Sequence, residues 1–184
     1  MENKIFNGIK EKTKNLISWS VGLLFLAGIT ALIIVGGNGD QSKGPTVYSS
    51  GTLSAIETSY DFGTIRMEDG DVSHKFEIKN DGSEPVIIER VSTSCICTTA
   101  MIYAKDGTEK GPFGMAGHRG ANPYANMEVL PSESVVVEAI FDPAAHGPQG
   151  VGRVKRIIYI ETSSETNHKM ELTFEAIVVN QQTI

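Results

Sequence analysis

The sequence has few of the features that mark enzymes and nucleic-acid-binding proteins. It contains no G-x-S-x-G, no H-E-x-x-H and no phosphate-binding loop, so neither a hydrolase nor a nucleotide-dependent activity is indicated. Basic residues are scarce beyond the first 15 positions, because four of the 16 stand there and 12 remain against 20 acidic residues. Nucleic acid requires clustered basic side chains. We therefore expect no enzyme and no nucleic-acid partner.

Charge is absent from residues 16–37, which read LISWSVGLLFLAGITALIIVGG. At about 1.5 Å per residue, a helix of this length spans the roughly 30 Å hydrocarbon core of a bilayer. Four lysines precede it, so the positive-inside rule places residues 1–15 in the cytoplasm. The sequence predicts a single-pass membrane protein with a periplasmic or extracellular C-terminal part. The length favours a retained signal-anchor, with cleavage near residues 36–39 as the alternative.

The remaining chain has the pattern of a small β-domain. Residues 38–56 are rich in glycine and serine, which predicts a flexible linker. Apolar and polar residues then alternate over 72–78, 135–141 and 170–178, as in strands with one buried face. No helical pattern follows the anchor. We expect an all-β domain over residues 57–180, an Ig-like antiparallel β-sandwich of about seven strands.

Residues 104–128 interrupt this alternation and are predicted to form a long loop. Glycines recur through the segment, which includes the phrase GPFGMAGHRG. Long ordered loops are uncommon in small domains and often carry function. We therefore expect this loop to contribute to a functional site.

The residues best suited to chemistry are soft metal ligands. Cys95 and Cys97 are the only cysteines, and an extended segment would project both thiols from one face. Thiol, thioether and imidazole groups together suit copper(I), with zinc second. The candidate metal ligands are Cys95, Cys97, Met115, His118 and His146. A C-x-C pair is a weak spacing signal, so structural or redox thiols, including a strained disulfide, stay an alternative.

Three phrases in order carry a family resemblance. They are YDFGTI at residues 60–65, FEIKNDGSEPVIIERVSTSCICTT, and LPSESVVVEAIFDP. Together they resemble the bacterial domain-of-unknown-function family 1573, which is related to the Ig-like domains of the hydin and spindle-associated type. The resemblance covers about residues 57–178 and implies a sandwich. Members usually show S-C-G-C-T, so both cysteines match and Ile96 replaces the central glycine.

The resemblance implies a cell-surface or periplasmic binding or assembly module with no established reaction. We expect the domain to be noncatalytic and to bind a protein partner at the cell surface or in the envelope. The alternative is a protein that binds copper or another soft metal through the C-x-C pair and the Met/His loop. Only the metal-binding hypothesis requires that loop to fold back onto the cysteines.

Overall fold

The computed structural model describes residues 48–118 and 121–180, which form ten β-strands and two short 3-10 helices. The strands are β1 (Leu53–Ala55), β2 (Ser59–Arg66), β3 (Val72–Asn80), β4 (Val86–Thr93), β5 (Thr98–Ala104), β6 (Glu109–Phe113), β7 (Tyr124–Val129), β8 (Ser134–Phe141), β9 (Gly152–Thr162) and β10 (Lys169–Val179). The 3-10 helices are Met67–Asp69 and Gly147–Gly150. Within these described ranges, neither helix is long and apolar enough to cross a membrane.

The strands form two sheets of five. The first sheet has the order β1-β3-β8-β5-β6 and the second has the order β2-β10-β9-β4-β7. Neighbouring strands run antiparallel, except that β2 pairs with β10 in parallel. The all-β prediction is confirmed, whereas purely antiparallel pairing is not.

The two sheets share one hydrophobic core. In β3, Phe76 and Ile78 are 1% and 0% exposed, while the residues between and after them face solvent. Phe141 of the first sheet and Phe174 of the second bring their ring centroids to within 5.3 Å. Because buried residues of both sheets form a single cluster, the sheets pack face to face as in a sandwich.

The described residues form ten strands where about seven were predicted, and two of these strands lie wholly or mostly in the segment predicted as a loop. Strand β6 and all but the last residue of β7 fall within residues 104–128, so that loop prediction was wrong. In β6 only Phe113 is buried, so the strand shows no alternation. Gly111 and Pro112 make the strand still harder to recognise from the sequence, because proline is confined to sheet edges and glycine weakens strands. The position of β6 at a sheet edge makes both residues tolerable.

The folded part of the chain begins before residue 57. Leu53 is 1% exposed, and β1 pairs with β3 although residues 38–56 were predicted as linker. A strand of three residues is too short to show a period in the sequence. The predicted cytoplasmic tail, residues 1–15, and the predicted anchor, residues 16–37, lie outside the described residues.

Two connections cross between the sheets at the same end of the fold. Residues 94–97 carry the chain from β4 in the second sheet to β5 in the first, and residues 142–151 carry it back from β8 to β9. Strands β4 and β9 pair antiparallel, as do β5 and β8, so that Thr98 at the start of β5 lies opposite Phe141 at the end of β8. The two crossings are therefore neighbours in space, although they are distant in sequence.

Candidate metal centre

The two cysteines lie in the first crossing, in a turn. The Thr98 N–H donates to the Cys95 carbonyl at 3.2 Å, and the hydroxyl of buried Thr93 lies 2.9 Å from the same oxygen. The extended segment considered from the sequence is therefore not the observed conformation. Ile96 stands at the tip with 49% of its surface exposed, and its φ is not positive. A β-branched residue thus fits here without backbone strain.

The turn brings both thiols to the imidazole of His146, which belongs to the second crossing. Cys95 Sγ lies 3.1 Å from His146 Nε2, and the two sulfurs and one imidazole nitrogen lie within 4.8 Å of one another. Cys97 is buried, Cys95 is partly exposed and His146 is exposed. In residues 48–118 and 121–180, this is the only group of three or more His, Cys, Asp or Glu side chains at metal-ligating separations. We call these three residues the thiol–imidazole cluster.

Backbone contacts hold His146 against the cysteine turn. The Asp142 N–H donates to the Cys97 carbonyl at 2.9 Å, which ties the start of the second crossing to the first. The Asp142 carboxylate accepts the Ala144 N–H at 2.8 Å and closes a local turn. Gly150 packs closely beside the histidine, because a Cβ atom there would lie 3.3 Å from His146 Cβ. The loop geometry therefore positions the imidazole.

Arg156 of β9 is the member of the site that the sequence did not single out. Its Nε donates to Cys97 Sγ at 3.0 Å, and its Nη1 donates to the Lys155 carbonyl at 2.9 Å. The guanidinium carbon lies 6.0 Å from the centroid of the Phe141 ring. A signal was available, because strand alternation places Arg156 on the face opposite to Lys155, among the inward residues. A cationic side chain on the core-facing side of a strand indicates that a polar or charged group lies beside it.

The two thiols have different environments. Burial alone would raise the pKa of Cys95, but hydrogen bonds from the Cys97 thiol, the Cys97 N–H and His146, with the charge of Arg156, lower that pKa from 9.0 to about 7. Burial raises the pKa of Cys97, and its hydrogen bond to Cys95 raises it further. Cys95 is therefore the thiolate of the pair near neutral pH, and Cys97 is its hydrogen-bond donor.

The other two predicted ligands lie beside the cluster. His118 is exposed and is not part of it, and together with Met115 it lines a separate pocket. That pocket is bordered by Ile96 and Thr98 but by neither cysteine. The Met115 backbone bridges to Thr93. Residues 112–118 of the glycine-rich segment thus pack beside the cysteine turn, on the side of the exposed Ile96.

The donor set fits a soft metal ion. Two thiolates and a neutral imidazole suit copper(I), which accepts few soft ligands, and they would leave a tetrahedral zinc ion one ligand short. Metal binding requires deprotonated thiols. The hydrogen bonds to Cys95 and the guanidinium beside Cys97 both favour the thiolate form.

Part of the chain matches a known family. Residues 53–113 match the model of the family described as "Protein of unknown function (DUF1573)". This confirms the resemblance found in the sequence. The matched range contains Cys95 and Cys97, but neither His146 nor Arg156. No curated protein matches the chain significantly.

Several solved structures resemble the fold. A protein of unknown function from Porphyromonas gingivalis W83 is 16% identical with a TM-score of 0.52, and the alignment covers 75% of this chain and 51% of that one. This chain thus spans about half of that protein's length. The PapD-like domain 7 of human CEP192 is 14% identical with a TM-score of 0.44, covering 79% and 98% of the two chains. The secreted serine protease VesC from Vibrio cholerae is 14% identical with a TM-score of 0.43, covering 68% and 23%. At such identities the likeness concerns the fold alone.

The unequal thiols predict unequal reactivity. In the reduced, metal-free protein, alkylation of Cys95 by iodoacetamide should accelerate with a midpoint near pH 7, because the thiolate is the nucleophile and the pKa of Cys95 is about 7. Cys97 should react more slowly and only at higher pH, because its pKa is raised and its side chain is buried. Peptide mass spectrometry after timed alkylation measures both rates.

Two variants test the cause. Cys97→Ala removes the thiol donor and should move the Cys95 midpoint upward, whereas Cys97→Ser keeps a donor and should move it less. Equal pH profiles for the two cysteines in the unsubstituted protein would contradict the assignment.

Proposed function

We propose that this protein is a noncatalytic binding module tethered to a membrane, and that its Ig-like domain binds a soft metal ion, copper(I), at Cys95, Cys97 and His146. The observation that carries the proposal is the convergence of two thiols and an imidazole within 4.8 Å at the end of the sandwich. Two separate crossings supply these groups, and the hydrogen bonds of both crossings hold them in place.

The three ligands would have different tasks. Cys97 is buried and fixed between Arg156 and the turn, so it would hold the ion at the inner side. Cys95 and exposed His146 would close the site toward solvent, where the ion enters and leaves. Bound copper(I) would supply a Lewis-acidic centre that joins the two crossings.

Titration of the full 184-residue chain with copper(I) tests the site. Under anaerobic, reducing conditions and in competition with a chromophoric chelator, we expect one copper(I) per chain. Cys95→Ser with Cys97→Ser should abolish binding, since thiolates are the principal soft ligands. His146→Ala should weaken binding by about tenfold or more. Absence of stoichiometric copper(I) in the unsubstituted protein would refute the proposal.

Histidines outside the cluster supply matched controls. His168→Ala removes an exposed imidazole that is not in the cluster and should leave the affinity unchanged. His118→Ala and Met115→Leu distinguish two ligand sets. Unchanged affinity supports the three-ligand site, while a loss comparable to that of His146→Ala would support the five-ligand set predicted from the sequence.

The membrane tether is supported by the charge pattern of the N-terminal segment. An uncharged run over residues 16–37 follows a tail with four lysines and two glutamates. We expect a protease added to intact spheroplasts to digest a tag placed after residue 184 and to spare a tag placed before residue 1. Deletion of residues 16–37 should release the protein from membranes. Protection of the C-terminal tag would contradict the proposed orientation, and retention after the deletion would contradict the anchor.

A second candidate function, protein binding, is favoured by one sheet edge. Strand β2 is eight residues long, contains no proline and pairs only with β10. Its other edge has no strand partner among the described residues. Such an edge can pair with an extended segment of another protein. At the edge of the first sheet, β6 contains Pro112 and is less suited to pairing.

Site-specific crosslinking tests this edge. A photo-crosslinking residue at Asp61 or Thr64 of β2 should yield adducts with one and the same envelope protein in intact cells. The same residue at Lys110 of β6 should not, because that edge carries a proline. Adducts at Lys110 as abundant as those at Asp61, or none from β2, would count against binding at this edge.

A further inference from the structure

The metal site includes a fixed positive charge, and the charge is supplied by Arg156. We infer that the Arg156 guanidinium makes the site selective for monovalent copper(I) over divalent zinc. The inference rests on the proposed function, because it requires a metal ion at the thiol–imidazole cluster. It assigns a specificity-determining role to a residue that is not itself a ligand.

The position of Arg156 is fixed from several directions. Its Nε lies 3.0 Å from Cys97 Sγ, and its Nη1 lies 2.9 Å from the Lys155 carbonyl. The guanidinium is 6.0 Å from the centroid of the Phe141 ring, and the residue is only partly exposed. Arginine does not lose its proton in proteins, and its guanidinium has no free lone pair with which to bind a metal ion. The positive charge therefore stays beside Cys97 whether or not an ion is bound.

Among the described residues, this charge has no carboxylate partner. None of the ion pairs between described side chains includes Arg156. Its neighbours on the outer face of β9 differ, since Arg153 and Lys155 both pair with Glu175. A partly buried cation without a counter-ion is unfavourable. The anionic group available to Arg156 is the cysteine pair.

The charge balance then depends on the ion. Two thiolates, a neutral imidazole and copper(I) carry one net negative charge, which the guanidinium neutralises. The same ligands with zinc(II) carry no net charge, so the guanidinium stays uncompensated beside a metal centre. In a partly buried site, water screens charges less, so this difference in net charge affects the relative affinities for the two ions. Arg156 thus favours the monovalent complex.

The number of ligands acts in the same direction. Zinc(II) prefers four ligands in a tetrahedron, and the cluster supplies three. Arg156 Nε occupies one side of Cys97 Sγ with a group that cannot coordinate. A zinc ion would therefore need a water molecule beside a positive charge, whereas copper(I) needs no fourth ligand.

Paired titrations of Arg156 variants test the inference. Copper(I) and zinc(II) affinities are measured for the full chain, each by competition with a metal-specific chromophoric chelator. Arg156→Gln should lower the copper(I) affinity by roughly tenfold and leave the zinc(II) affinity equal or higher, because it removes a hydrogen bond from a charged donor and the charge itself. Arg156→Lys retains the charge and should keep most of the preference.

Arg153→Gln is the matched control. Arg153 lies on the same strand with 74% of its side chain exposed and pairs with Glu175, so this substitution should change neither affinity. Circular dichroism verifies that each variant folds. Arg156→Leu, which also lacks the charge, replaces the glutamine variant if that variant does not fold.

The outcomes separate the two proposals. If the unsubstituted chain binds no copper(I) through its cysteines, the proposed function fails and the selectivity fails with it. If it binds copper(I) but Arg156→Gln changes both affinities by the same factor, or neither, the metal site stands and the role of Arg156 is overturned. A lysine variant that loses the preference as fully as the glutamine variant would overturn the charge argument.

Discussion

Antiparallel pairing of β4 with β9 and of β5 with β8 is the constraint on which the candidate site depends. It places the β4–β5 and β8–β9 connections at one end of the fold, with Thr98 opposite Phe141. The packing of Phe141 against Phe174 holds the two sheets together just below these connections. Because the crossing at residues 94–97 is short and the Asp142 N–H of the other crossing donates to the Cys97 carbonyl, the side chains of the cluster have little freedom to separate. The thiol–imidazole cluster is thus a consequence of topology.

At this end of the fold, the two cysteine sulfur atoms have different neighbours. Cys97 is covered by the core and faces Arg156, whereas Cys95 faces His146 and solvent. Burial opposes ionisation of both thiols, the hydrogen bonds from Cys97 and His146 favour it at Cys95, and the positive charge of Arg156 favours it at both. Near neutral pH the thiolate form is therefore favoured at Cys95 over Cys97, and a thiolate is the form that binds a soft cation.

The part of this architecture that the sequence predicts is the part carried by local periodicity. Alternation reveals β3, β8 and β10, and the residue types single out the cysteines and His146 as ligands. Short β1 and proline-containing β6 carry no such period, so they were read as linker and loop. Local patterns also cannot show which loop closes on the cysteines, since that depends on strand pairing. His118 and Met115 therefore could not be told from His146 by sequence alone. Strand alternation places Arg156 on the inward face of β9 but does not show that its partner there is Cys97.

A disulfide is the other chemistry open to adjacent thiols, and the charge of Arg156 bears on it. Oxidation of Cys95 and Cys97 would remove the anionic group that this partly buried cation faces, and no carboxylate in the described part of the chain pairs with Arg156 in its place. An uncompensated cation at this depth is unfavourable. The small ring of a C-x-C disulfide adds strain. The uncompensated charge and the ring strain both stabilise the dithiol relative to the disulfide, and binding of a soft ion would stabilise the dithiol further. The site is therefore better suited to hold thiolates than to lock them in a covalent bond.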